Sequence, residues 1–266
     1  MDSLPHEFAE PLDRRRPELL PLATRVIWHA ETGSTNTDAA ALAESGAPEG
    51  VIVVADLQTA GRGRLGRSWS SPPGVGIYAS VLLRPGANVA RLLSLAAGVA
   101  IAEAIEEVTG LRPVLKWPND VYLDGGGAHP PRKVAGILAE AGGSGAAAWV
   151  VVGFGINVLP APNSPELTRA TSIEADLGRA VDRGELFAAC VARLAARYTD
   201  LERGRRNSVL DAWRARAASS VGRRVEWSEG GGARSGVVSG IDDDGGLLVA
   251  TDGGAARIVS GEVRWS

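Results

Sequence analysis

Apolar positions along the chain fall into two textures. Over most of its length, compact β-branched runs alternate with long apolar stretches at helical spacing; towards the C-terminus only short alternating runs remain. The runs at 25–30, 51–57 and 76–83 predict strands, the last closed by Arg84-Pro85-Gly86. The alanine-rich stretch 37–43 follows Asn36 as an N-cap and predicts a helix ending near Gly46. Residues 90–108 have the spacing of a long buried helix stopped by Gly110. Consecutive strands are expected at 114–117, 121–123, 134–140 and 149–158, with a loop from Asp124 to Pro131, and helices at 185–201 and 209–217. From Ser219, runs at 223–227, 235–241, 247–250 and 256–259 are separated by glycine turns such as Gly230-Gly231-Gly232 and Asp244-Gly245-Gly246, the pattern of a small antiparallel barrel.

Strands followed by long helices, without strict βαβ alternation, predict an α+β main domain. The expected division is a mobile arm at 1–23, a main domain at 24–218 and a small C-terminal barrel at 219–266. The arm is suggested by Pro5, Pro11, Pro17 and Pro21, with the basic run Arg14-Arg15-Arg16 and no long hydrophobic stripe.

Composition narrows the function classes. A net charge of −3 argues against a chain built mainly to bind a nucleic-acid backbone. The single cysteine, Cys190, precludes an internal disulfide and sits in an alanine-rich helix as a core residue. His6, His29 and His129 are far apart, with no zinc spacing and no G-x-S-x-G elbow. The chain opens without a secretory h-region, and its longest apolar run is well short of the roughly 20 residues a membrane span needs, so a cytoplasmic protein with no membrane association is expected. Chemistry by positioned positive charge is the remaining expectation.

The stretch Gln58-Thr59-Ala60-Gly61-Arg62-Gly63-Arg64-Leu65-Gly66-Arg67-Ser68-Trp69 satisfies G-x-G-x-x-G. The dinucleotide reading requires a helix opening at the glycines. Ser70-Ser71-Pro72-Pro73-Gly74 follows instead, which will not start one, so that reading is rejected. Glycines let the backbone approach a ligand closely, and Arg62, Arg64 and Arg67 supply planar donors to a carboxylate or polyphosphate; a solvated basic loop, or one touching RNA, fits the same composition. In Lys116-Trp117-Pro118-Asn119-Asp120 the proline fixes the backbone past a strand, presenting a lysine and an aspartate for phosphate and magnesium, or else a salt-bridged corner. Lys133 precedes an apolar strand ending at Glu140, and alone would read as a solvated strand end. Gly153-Phe154-Gly155-Ile156-Asn157 ends a very apolar strand, with glycines where something needs room. Gly33-Ser34-Thr35-Asn36 reads first as a helix cap.

Together, and in this order, these segments resemble the biotin–protein ligases, which share a fold with lipoate ligases and class II aminoacyl-tRNA synthetases; the resemblance spans roughly residues 25–266. It implies a class II synthetase-like catalytic domain with a mixed sheet, and an SH3-like C-terminal barrel. It implies an enzyme that takes ATP and biotin as substrates, with Mg2+, forms biotinyl-5′-AMP, and passes biotin to a lysine of a biotin carboxyl carrier domain of an acyl-CoA carboxylase, a step in lipid synthesis. By the resemblance, Ser34, Thr35, Asn36 and Gln58 would hold the ureido head, with Gly61, Arg62, Gly63 and Gly136 around it. Arg64 and Arg67 would meet the biotin carboxylate and ATP phosphates, and Lys133 would bridge carboxylate and α-phosphate. Lys116, Asn119 and Asp120 would form the phosphate corner, Asp120 holding metal and standing as a candidate to help deprotonate the carrier lysine, with Trp69 and Asn157 on the nucleotide side.

Some family members carry an N-terminal helix-turn-helix and act as repressors; the short segment before the first predicted strand implies a monofunctional ligase that does not bind DNA. The loop at 125–131, just ahead of Lys133, looks longer than the family minimum. A lipoate or octanoate ligase is disfavoured by Gln58 with Ser34-Thr35, a non-catalytic biotin sensor by Lys116, Asp120 and Lys133, and an RNA-binding protein by the acidic balance. Family members dimerise through sheet edges, and nothing in the residues decides for or against a homodimer here.

Overall fold

The structure, a computed structural model, describes residues 3–124, 130–161, 170–229 and 232–265. The expected loop at 125–129 and the Gly230-Gly231 turn lie outside the described residues.

A seven-stranded mixed sheet organises the main body, in the order β1-β2-β3-β7-β6-β5-β4. Its strands are β1 (Arg25–Thr32), β2 (Val51–Gln58), β3 (Gly76–Leu83), β4 (Val114–Lys116), β5 (Asp120–Leu123), β6 (Arg132–Gly142) and β7 (Trp149–Asn157). β1 and β2 run parallel; every other pairing is antiparallel. The apolar run of β2 from Val51 to Ala55 follows from burial on both faces. Ile52 and Val54 join the large core, whereas Val51 and Val53 join a second cluster with Ala39, Ala43, Leu82 and Val151.

The helices among the described residues are α1 (His6–Arg14), α2 (Thr35–Glu44), α3 (Ala87–Ala90), α4 (Leu93–Thr109), α5 (Ile173–Leu177), α6 (Arg183–Glu202) and α7 (Arg206–Arg216). Residues of α4, α6 and α7 fill the large core, and α2 supplies the smaller cluster. Gly110, at φ 77°, ends α4 in the left-handed conformation, as its sequence position predicts.

Residues 3–23 correct the expectation of a mobile arm. α1 carries Phe8 and Leu12 one turn apart, both buried, and Leu19 and Leu22 follow them into the large core. Phe8 stacks edge-on to Phe187 of α6 at 5.6 Å and against Trp28 of β1 at 5.3 Å. The approach requires Gly184, where a β-carbon would meet the Glu7 carbonyl oxygen at 1.6 Å. Two apolar residues one turn apart are too few to register as a stripe in sequence, and the prolines masked them: Pro5 caps the helix and Pro11 sits within it.

The C-terminal segment forms a five-stranded antiparallel sheet, β8 (Arg224–Glu229), β9 (Gly232–Ile241), β10 (Leu247–Thr251), β11 (Gly254–Ile258) and β12 (Val263–Trp265), in the order β11-β10-β9-β8-β12. The sheet is open: β11 and β12 are its edges, and no closed barrel is present among the described residues. β12 and α5 were not predicted, being too short to show a period. The sheet does not stand apart, because Val225, Trp227, Leu247 and Val249 belong to the large core. Trp117 Nε1 donates to the Gly245 carbonyl at 2.9 Å, which ties its β9–β10 turn to the body.

Phe8→Ala should therefore destabilise the protein by about 3–5 kcal/mol. Urea unfolding checks this; a loosely attached arm would leave the midpoint unmoved.

Candidate functional site

Residues facing each other across β3, β7 and β6 form three rows on the side covered by α2. The first is Leu82–Val151–Glu140, the second Ser80–Gly153–Leu138 and the third Tyr78–Gly155–Gly136. Side chains alternate between faces, so each row belongs to one face. On β7 the apolar bulk ends with Val151; beyond it Gly153 and Gly155 leave room, which other elements fill. A β-carbon on Gly153 would lie 1.8 Å from Asn36 Oδ1, and one on Gly155 2.3 Å from Trp69 Nε1. The space the glycines leave is thus taken by two side chains flanking a cavity of about 580 Å3.

Ser34, Thr35 and Asn36 line this cavity and are buried. Ser34 is the N-cap of α2 but makes no side-chain cap bond, and Asn36 lies inside the helix, so the capping reading of this motif does not hold. Gln58 ends β2. Its Oε1 accepts from the Thr35 amide at 2.9 Å, and its Nε2 donates to Ser71 Oγ at 2.8 Å. The amide is thereby oriented before any ligand arrives.

The glycine–arginine segment folds back as a tight hairpin, with Gly63 N to Arg67 O at 2.7 Å, Trp69 N to Gly61 O at 2.9 Å and Gln58 N to Ser71 O at 3.2 Å. A single 3-10 turn at Arg64–Gly66 forms within it, but no α-helix begins there, in agreement with rejecting the dinucleotide reading. Gly61 does not line the cavity; its bare α-carbon admits the Trp69 carbonyl, which a β-carbon would meet at 2.4 Å. Each arginine has a protein partner. Arg62 makes a fork to Glu140 at 2.9 and 2.5 Å, Arg64 donates to Asn119 Oδ1 and the Gly261 carbonyl, both at 3.2 Å, and Arg67 pairs with Glu262. Burial lowers the Arg64 pKa below the usual arginine range; Asp120 acts against that shift and Arg67 adds to it.

Lys133 reaches the cavity through a register shift. Asp120 faces Gly136 and Val121 faces Ala135, but Tyr122 faces Lys133, so β6 carries one extra residue, Val134. The bulge sends both Val134 and Ala135 into the core and turns Lys133 to the side of Gly136. Lys133 Nζ then lies 2.6 Å from Asp120 Oδ1 and 5.2 Å from the centroid of the Trp69 ring. The lysine expected ahead of the strand is its second residue.

Lys116, Asn119 and Asp120 stand together at the β4–β5 turn, as expected, and line the same cavity. Asn119 Nδ2 donates to the Ile137 carbonyl at 2.7 Å, and Lys116 Nζ lies 5.1 Å from the Tyr122 ring and 5.4 Å from that of Trp265. Asn157 is placed elsewhere. It donates to the Thr171 carbonyl at 3.0 Å and lines a second cavity of about 600 Å3. The two cavities share a wall made of Arg67, Ser68, Trp69, Tyr122 and Lys133.

Sequence reasoning missed several residues. Ser71, Ser80 and Glu140 hold the cavity floor; for Ser80 and Glu140 the signal was a polar break in an apolar strand, and Ser71 carried none. Residues 261–265, including Glu262 and Trp265, line the cavity from the C-terminal sheet, which no local pattern announces. Among the described residues no cluster of three metal-ligating side chains exists.

A preformed polar cavity ringed by six cations, Arg62, Arg64, Arg67, Lys116, Lys133 and Arg264, and joined through Lys133 to a second cavity, defines a site for bringing an anionic ligand to another reactant. Residues 28–157 match the biotin/lipoate A/B protein ligase family, and residues 221–264 match the biotin protein ligase C-terminal domain. A biotin–[acetyl-CoA-carboxylase] ligase of Paracoccus denitrificans is 37% identical over 243 residues, covering 88% of this chain and 98% of the relative. The Mycobacterium tuberculosis protein of the same name is also 37% identical, covering 88% of this chain and 86% of its own. Among solved structures, a biotin protein ligase from Aquifex aeolicus in complex with biotin and ATP superposes with a TM-score of 0.78 at 32% identity, covering 91% of this chain and 99% of that one. The chain belongs to the biotin/lipoate A/B protein ligase family, on its biotin–protein ligase side.

Gly153→Ala should force the Asn36 side chain from its place and destabilise the protein by about 1–3 kcal/mol. Thermal melting with and without ligand would register it; an unchanged melting temperature would mean that the contact is easily relaxed.

Proposed function

We propose that this protein adenylates biotin with ATP and transfers it to a lysine of a biotin carboxyl carrier domain of an acyl-CoA carboxylase. The observation that carries the reading is the position of Lys133 in the wall between the two cavities. An ammonium there meets two anions at once, the carboxylate from the first cavity and the α-phosphate of the nucleotide lying across the wall.

In this reading the ureido head sits over Thr35 and Gln58, and the nucleotide base uses the second cavity beside Trp69 and Asn157. The Trp69 indole N–H packs over Gly155 without an acceptor among the described residues, and its ring forms part of the wall beside that cavity. A carboxylate oxygen attacks the α-phosphorus, a new P–O bond forms, and pyrophosphate leaves. Both reactants are anionic, so their repulsion must be offset by cations already in place; Arg64, Arg67, Lys116 and Lys133 supply them. The carrier lysine then attacks the acyl carbon, AMP departs, and the ammonium loses its proton, so no nucleophile of this chain is needed. The hairpin at 61–71, next to the mixed anhydride, excludes water from it.

The donor set fits a magnesium ion bound in the way that ion prefers. Asp120 provides one carboxylate on the cavity wall, and a small divalent ion held by one carboxylate plus nucleotide phosphates needs no further protein cage. When bound it would neutralise phosphate charge. The wider expectations belong to the same reading: a class II synthetase-like catalytic body, with the C-terminal sheet as an SH3-like module.

With biotin, ATP and magnesium, mass spectrometry should detect biotinyl-5′-AMP, and an added carrier domain should gain the mass of one biotinyl group. Lys133→Ala should slow adenylate formation by about 10²–10³-fold while biotin binding is reduced less. Tight biotin binding without adenylate would reduce the protein to a sensor; no biotin binding would overturn the reading.

A further inference from the structure

Beneath the first cavity runs a chain of polar side chains, buried except at its Glu140 end, that leads from Thr35 away from the ligand. Asn36 Nδ2 lies 2.8 Å from Glu140 Oε2 and 3.2 Å from the Leu138 carbonyl. A carboxylate and a carbonyl both accept, so the amide nitrogen faces them and Oδ1 faces the other way. There, Ser80 Oγ lies 2.6 Å from Asn36 Oδ1. Two oxygens that close need a proton between them, and the amide oxygen has none, so Ser80 donates. Ser80 Oγ is also 2.8 Å from Thr35 Oγ1. Having spent its only proton, Ser80 accepts there, and Thr35 donates.

Thr35 thus turns its hydroxyl proton into the protein and its remaining lone pairs towards the cavity. The competing arrangement aims that proton at Gln58 Oε1, 3.2 Å away. That acceptor already receives the Thr35 amide at 2.9 Å, and the switch would leave Thr35 and Ser80 facing each other at 2.8 Å without a proton between them. The relay is anchored at its far end, where Arg62 forks onto both oxygens of Glu140. Ser80 is fully buried and Asn36 and Thr35 nearly so, so water does not readily substitute for a missing link.

We propose that Glu140, Asn36 and Ser80 form a proton relay that fixes Thr35 as an acceptor only, which makes the cavity floor selective for a ring N–H over an isosteric ring oxygen. These three are positioning residues: they act on the ligand through Thr35. The proposal rests on the biotin reading and adds its basis of selection. A ligand oxygen facing Thr35 would set lone pair against lone pair, and a site built to hydrogen-bond one partner rejects its mispaired isostere strongly.

The test compares biotin with the two cyclic carbamates in which one or the other ureido N–H is replaced by oxygen, by calorimetric titration of the intact protein. At least one carbamate should bind the wild-type protein more than tenfold more weakly than biotin. In Ser80→Ala the Thr35 proton is released and turns outward to the carbamate oxygen, so that gap should shrink several-fold even as biotin affinity falls. Asn36→Ala, which frees the Ser80 proton for Thr35, should act in the same direction and serves if Ser80→Ala does not fold. Both carbamates binding the wild type within tenfold of biotin would overturn the proposal, and so would folded variants that weaken all ligands equally with the gap intact. Failure of the wild type to bind biotin at all would count instead against the ligase reading.

Discussion

Two glycines on β7 set the terms for everything around them. On the α2 side of the sheet, the Leu82–Val151 row is packed as ordinary core, while the next rows centre on Gly153 and Gly155. A close-packed interior tolerates few voids, so the room must be occupied. Asn36 and Trp69 occupy it, one from α2 and the other from the glycine–arginine hairpin. These contacts draw two segments distant in sequence against the same strand, and the cavity is the space left between them. Gly136 on β6 extends the arrangement, since a β-carbon there would press on Trp69 at 2.9 Å and on Lys133 Nζ at 3.1 Å.

Charge is held in a similarly mutual way. Arg62 rests on Glu140, Arg67 on Glu262 and Lys133 on Asp120, while Arg64 spends its donors on Asn119 and the Gly261 carbonyl. Cations gathered without an anion would repel one another, and these protein partners hold them in place. In the proposed reading, ligand anions would replace these partners, one charge-assisted interaction exchanged for a similar one. The pairs to residues 261 and 262 extend this into the C-terminal sheet, so a segment that resembles an appendage in sequence closes one side of the site.

The N-terminal segment contributes from the opposite side. Arg183, at the start of α6, reaches Glu7 of α1 at 2.8 Å and Asp56 of β2 at 3.1 Å. Asp56 in turn accepts from the Gly74 amide at 3.0 Å, where the chain leaves the hairpin for β3. Burial, with the neighbouring Asp56 charge, raises the pKa of the adjacent Tyr78, and its hydroxyl donates to the Pro72 carbonyl at 3.1 Å. The base of the hairpin is therefore braced by the segment whose prolines argued for mobility.

Much of this was legible in the residues themselves. The β-branched runs, the long apolar helix ended by Gly110 and the clustered arginines between glycines are local patterns, and local backbone physics suffices to read them. Only the tertiary structure decided which way the side chains face. Lys133 meets the cavity because a bulge at Val134 changes its phase, and a bulge depends on the partner strand, not on its own. Ser34, Thr35 and Asn36 have the composition of a helix cap, yet burial against Ser80 and Glu140 gives them another task. Phe8, Glu262 and Trp265 acquire their places from segments far away in sequence, and a side chain's partners across such a separation leave no trace in its neighbours along the chain.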